Sequence, residues 1–98
     1  MSKKLIYTDG ILKNSKDKDN ELVNKMSSLL LFLNSYNGKD NILSVEERSK
    51  ATFLVKLKNN PKEIITYKVY KNRPTSIPAF FAMSVCGYYI WVDSVENE

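Results

Sequence analysis

The sequence predicts an α+β domain: one principal α-helix packed on an antiparallel β-sheet of three to five strands. Three observations carry this. Leu22, Val23, Met26, Leu29, Leu30, Leu33 and Tyr36 recur at helical spacing on one face. KATFLVKLK (50–58) and EIITYKVYK (63–71) alternate apolar with polar residues on either side of NNPK. YYIWVDSV (88–95) is rich in the aromatic and β-branched residues that suit a pleated surface. With 98 residues, the chain fits one small domain spanning 1–98.

Taken in order, LIYT (5–8) and ILKN (11–14) flank Asp9-Gly10, a dipeptide that supplies the positive φ angles of a tight hairpin turn. NSKDKDN (14–20) is a solvated connector. Asp19 or Asn20 caps a helix over 19–37, Glu21 complements its N-terminal dipole, and Asn37-Gly38 closes it. Leu31 and Phe32 fall off the apolar stripe, so either a second layer covers them or they form a partner or homodimer contact. Ser44-Val45-Glu46-Glu47 has capping-box spacing and predicts one or two helical turns before the next strand.

The register of the 50–71 hairpin follows from burial. An odd-length loop, such as three residues centred on Pro61, unites Phe53, Val55 and Leu57 with Ile65, Tyr67 and Val69. An even one would set them beside Thr66 and Lys68. The odd register leaves Lys56, Lys58, Thr66, Lys68 and Tyr70 on the opposite face, with Thr52, Leu54 and Ile64, and with no acid except Glu63 near the turn. Pro74 and Pro78 keep 72–78 extended or turned. AFFAMSV (79–85) reads equally as a strand or a short helical piece. In the last strand Tyr89 and Trp91 share one face and Tyr88, Ile90 and Val92 the other, as in an inner strand. Phe80, Phe81, Ile90, Trp91 and Val92 are expected to bury the helix stripe, and 94–98 to fray.

Composition argues against catalysis. There is no histidine, which removes the usual general base near neutral pH and the commonest metal ligand. Cys86 is the only cysteine, so no intrachain disulfide or thiolate cluster forms; within its apolar run it reads as a small buried residue in a reducing compartment. Gly10, Gly38 and Gly87 are too far apart for a phosphate-cradling loop. Asp9, Asp17, Asp19 and Asp40 lack EF-hand spacing, and the adjacent Glu46 and Glu47 read as helix-start acids, not paired catalytic carboxylates. The expectation is a non-enzymatic protein with no cofactor and no metal. The apolar run 77–92 falls short of the roughly 20 residues of a membrane helix, and the N-terminus has no secretory h-region. A cytoplasmic location follows, in the host cytoplasm if the chain is viral.

Charge points to binding. The net charge is +4, yet residues 50–73 hold seven cations against Glu63, a net of +6, while 74–98 hold only Asp93, Glu96 and Glu98. The partner is therefore expected to be an acidic protein surface or nucleic acid, with no membrane. Lys56, Lys58, Lys68, Tyr70, Lys71 and Arg73 are the candidate contacts, and Leu31 and Phe32 the candidate apolar or homodimer interface. The first reading is a protein–protein interaction module, a phage or mobile-element factor that binds or inhibits a host nucleic-acid-handling protein; thirteen lysines, two arginines and ten asparagines fit an AT-rich genome. The alternative is direct binding of single-stranded or backbone-contacted nucleic acid through lysines interleaved with tyrosine. Against it stand the scarcity of arginine for reading base edges and the absence of an RNP aromatic pattern.

Overall fold

A computed structural model describes residues 4–8, 10–13, 20–38, 40–49, 51–72, 74–78 and 82–98. In it the strands are β1 (Ile6–Thr8), β2 (Ile11–Lys13), β3 (Ile42–Ser49), β4 (Thr52–Leu57), β5 (Asn60–Tyr70), β6 (Met83–Val85) and β7 (Tyr88–Asn97), and the helix is α1 (Asn20–Asn37). All seven strands form one antiparallel sheet in the order β2-β1-β3-β4-β5-β7-β6. One helix on an antiparallel sheet is thus present, but three to five strands is an undercount. The N-terminal hairpin joins the main sheet through β1 and β3; β3 was not expected, and β6 takes the strand alternative left open for 79–85.

The first of these is where the capping box was expected. Residues 44–47 form strand because long-range partners outbid a local cap. Val45 is fully buried opposite Val55. Leu5 N–H donates to Glu47 Oε1 at 2.8 Å, and Glu47 N–H donates to the Leu5 carbonyl at 2.9 Å. The carboxylate that a capping box turns back on its own helix instead ties down the chain entering β1.

The hairpin register holds: Phe53 lies opposite Tyr67 and Val55 opposite Ile65. The loop differs from the three residues expected. Leu57 pairs with Asn60 across the two-residue turn Lys58-Asn59, and an irregularity in the pairing between Val55 and Leu57 restores the odd register. Pro61 therefore sits at a strand irregularity, where its missing N–H breaks no ladder bond, and not at the tip of a loop. β7 also continues where fraying was expected. β5 is long enough to pair Glu63 with Asn97, and Glu98 N–H donates to the Lys62 carbonyl at 2.8 Å.

Leu22, Met26, Leu29 and Leu33 of α1 are buried against Leu5, Val45, Phe53, Val55, Val69 and Ile90. Each such side chain removed from water contributes about 1.5–3 kcal/mol. Tyr36, placed on the stripe by spacing, is 75% exposed at the helix end. Gly38 follows with φ +89°, the left-handed geometry that stops the helix. Leu31 is 52% exposed, so no second layer covers it, whereas Phe32 packs edge-on against Tyr67 at 5.9 Å and stacks on Tyr36 at 5.5 Å.

The final third corrects three expectations. Trp91 is 7% exposed but lies outside the helix-side core: it pairs with Lys68, on the face opposite Ile90. Val92 shares the helix side with Ile90 yet is exposed. Cys86 is exposed, not buried, because it and Gly87 form the two-residue β6–β7 turn, with φ +50° and +84°. That pair of positive angles gives the turn whose twist matches the flanking strands. Phe80 and Phe81 lie outside the described residues.

Candidate binding face of the sheet

The register divides the sheet into two unlike faces. One carries Leu5, Val45, Phe53, Val55, Ile65, Tyr67, Val69 and Ile90 and is packed by α1. Among the described residues, no helix or strand packs on the other. The pairings Ser49–Thr52, Thr52–Lys68 and Lys68–Trp91 set one row of side chains across that open face, and Glu46–Leu54, Leu54–Thr66 and Thr66–Ser94 set the next.

At its centre is a polar groove of about 370 Å³, to which all four central strands contribute: Arg48 and Ser49 from β3, Thr52 from β4, Thr66 and Lys68 from β5, Asp93 and Ser94 from β7. Thr52 and Thr66 are both buried in its floor. Lys68 Nζ donates to Thr52 Oγ1 at 2.9 Å, which holds the ammonium over the groove instead of letting it swing into solvent. The pairing shifts between Glu47 and Ser49 in β3 and between Thr66 and Tyr67 opposite β7 place irregularities at Arg48 and at Asp93, on either side of the groove. Such bulges re-aim side chains and raise local twist. Above the groove, Tyr70 stacks on Trp91 with ring centroids 5.3 Å apart and planes 24° apart.

The face is not the acid-free lysine surface that the hairpin alone predicts. Lys56 is paired with Glu98 at 2.5 Å, and Glu46, on the same face through its pairing with Leu54, is 3.3 Å from Lys4. Glu96 follows opposite Ile64, and Asp93 shares the groove with Lys68. The acids arrive from β3 and β7, the strands flanking the hairpin, and neither could be placed beside it by local pattern. An exposed pair of this kind contributes about 1 kcal/mol or less to stability, but it cancels much of the local field.

The expected contact residues are divided in space. Lys56, Lys68 and Tyr70 lie on the open face, and Lys58 is exposed in the β4–β5 turn. Lys71 lies past the end of β5 and lines a recess of about 380 Å³ between α1 and the β6–β7 turn, together with Leu31, Asn24 and Cys86. Phe32 instead lines a hollow with Tyr36, Tyr67, Met83 and Val92, so it and Leu31 do not share one patch. Arg73 lies outside the described residues. Thr52, Thr66, Trp91, Ser94, Arg48 and Asp93 were not among the candidates. The alternation signals Thr52 and Thr66, which fall on the polar face of their strands, but the bulges that bring in Arg48 and Asp93 have no local signature.

Burial is the first cause that raises the Tyr67 phenol above its ordinary value of 10.0, with Tyr36 and Glu63 adding to it. Among the described residues no group of three His, Cys, Asp or Glu side chains could hold a metal ion, and no helix is long and apolar enough to cross a membrane. In comparisons with known proteins, no family model, curated protein or solved structure matches the chain.

Proposed function

We propose that this is a non-catalytic protein-binding domain that docks a folded partner on the open face of its sheet. The observation that supports the reading is the asymmetry of the sheet: one helix packs on a single face of seven strands, and the other keeps a groove floored by threonines beside a stacked Tyr70–Trp91 pair. Aromatic and hydroxyl side chains with few rotatable bonds suit a contact surface, since little conformational freedom is lost when they bind. The balance of charge favours protein over nucleic acid. A phosphate-tracking groove keeps its cations free of acids, whereas here Lys56 is paired with Glu98 and Lys68 shares its groove with Asp93. The lysine- and asparagine-rich composition makes a nucleic-acid-handling host protein, met by a phage or mobile-element factor, the first partner to assay.

The test is affinity capture from nuclease-treated extract with the wild type, with Lys68→Glu and with Asn34→Asp on the exposed side of α1. One stoichiometric protein retained by wild type and Asn34→Asp, and lost with Lys68→Glu, is the expected result. Retention of the same protein by Lys68→Glu would move the contact off this face. Salt-sensitive binding of a fluorescent oligonucleotide at about 50 mM salt, where phosphate contacts are strong, would favour the nucleic-acid reading instead.

A further inference from the structure

β7 pairs with β5 along its length, from Tyr89 to Asn97, but β6 covers only Tyr88 to Ile90 on the other side. Among the described residues nothing pairs with the outer edge of β7 beyond Ile90. Glu98 N–H donates inward to the Lys62 carbonyl, and the register is unbroken from Glu98 back to Ser94. Because both polar groups of a residue in an antiparallel ladder point the same way and alternate along the strand, Ser94 and Glu96 also point toward β5. Val95 and Asn97 therefore aim their N–H and C=O groups outward.

We propose that this edge accepts an extended segment of a partner protein as an eighth strand, with large apolar residues alternating with lysine or arginine. The two sides of the edge set that pattern. On the helix side, Val95 is 52% exposed and Val92 is exposed, next to a hollow of about 220 Å³ lined by Phe32, Tyr36, Tyr67 and Met83. On the open side, Glu96 is exposed, with Asp93 exposed at the bulge above it. An incoming strand presents successive side chains to opposite faces, so apolar residues meet the hollow and cations meet the acids. A second copy of β7 would bring its own Asp93 and Glu96 against these acids. Like charges and bulges of this kind keep natural edges from pairing with themselves, and here they leave a basic strand as the matching occupant. The inference stands apart from the role of the open face, because it concerns backbone groups at the rim of the sheet.

The test is a titration of the isotope-labelled protein at low salt with a blocked hexapeptide of alternating valine and lysine, and with its valine–glutamate counterpart, followed by amide resonances. The valine–lysine peptide is expected to shift the Val95 and Asn97 amides most and to bind at least ten-fold tighter than the glutamate peptide. Val95→Pro removes an outward N–H without touching the ladder to β5, so it should leave the fold's amide spectrum intact and weaken binding at least ten-fold. Val95→Ile should bind as the wild type does, and Asp93→Lys with Glu96→Lys should reverse the preference between the peptides. Equal binding of the two peptides, undiminished binding by Val95→Pro, or shifts confined to Thr52, Thr66 and Lys68 would overturn the proposal. So would shifts at Val95 and Asn97 that grow with protein concentration alone, which would make the occupant a second copy. Tyr70→Ala, which alters the open face without changing its charge, should leave peptide binding within two-fold.

Discussion

The two faces of the sheet are built from the same strands, residue by residue in alternation, and they differ in what their neighbours are. On the helix side the central positions are apolar apart from Glu47, which lies opposite Phe53, and Val45, Phe53, Val55 and Val69 are fully buried. On the open side the same strands place Glu46, Leu54 and Lys68, each partly exposed, around the buried Thr66. Packing decides the first face and pairwise chemistry decides the second. The lesson is that burial specifies a face position by position, whereas a solvated face is specified only by which strands meet, and hence by the whole topology.

Substitutions can break this comparison. Leu29→Ala, in the fully buried helix stripe, is expected to destabilise by about 2–5 kcal/mol, a large part of the stability of a small domain. Denaturant unfolding gives the figure. Leu54→Ala removes the same atoms from a half-buried position on the open face and should cost roughly half as much, about 1–2 kcal/mol, in the same experiment. Equal losses would mean that the open face is packed as tightly as the other.

A pH series sharpens the contrast from the buried side. The folded state holds the Tyr67 phenol above 10.0, so above that pH the unfolded chain releases its proton first. The stability that depends on a neutral Tyr67 is fully present below pH 10.0 and is lost as pH rises through the folded value. Stability measured from pH 8 to 11 should fall less steeply above pH 10 in Tyr67→Phe than in the wild type; parallel profiles would argue against burial of that hydroxyl. The smallest effect belongs to the open face. Lys56→Met combined with Glu98→Gln in a double-mutant cycle should give a coupling of about 1 kcal/mol or less, shrinking as salt is raised.

The same division governs how much could be read from the chain. The helix, both hairpin strands and their register were legible because a repeating apolar pattern forces them: a slip at Phe53 or Ile65 would expose a whole row of the core. The Asp9-Gly10 hairpin was legible from its turn chemistry, and Thr8 does lie opposite Ile11. β3 was not, because its ILSVEERS sequence carries a local helix-start signal that loses to pairing with β4, where Val45 meets Val55, and to Leu5, 42 residues before Glu47. The extent of β7 was hidden for a similar reason, since VENE is strand only because β5 is long enough to pair with it. For the site, alternation put Lys56, Lys68 and Tyr70 on one face correctly. It could not supply Glu98, which reaches Lys56 across 42 residues of sequence, nor the bulges that bring Arg48 and Asp93 to the groove. Spacing alone misplaces Trp91, because a large apolar side chain on a two-sided strand carries no mark of which side holds the helix.

The most direct test of the central claim, that the open face is where a partner protein docks, is site-specific photocrosslinking in cells of the source organism. A benzophenone amino acid replaces Tyr70 on the open face or Asn34 on the exposed side of α1. The account predicts a discrete protein adduct from position 70, resistant to nuclease, and none from position 34. Adducts from position 34 alone, or adducts from position 70 that nuclease removes, would contradict it.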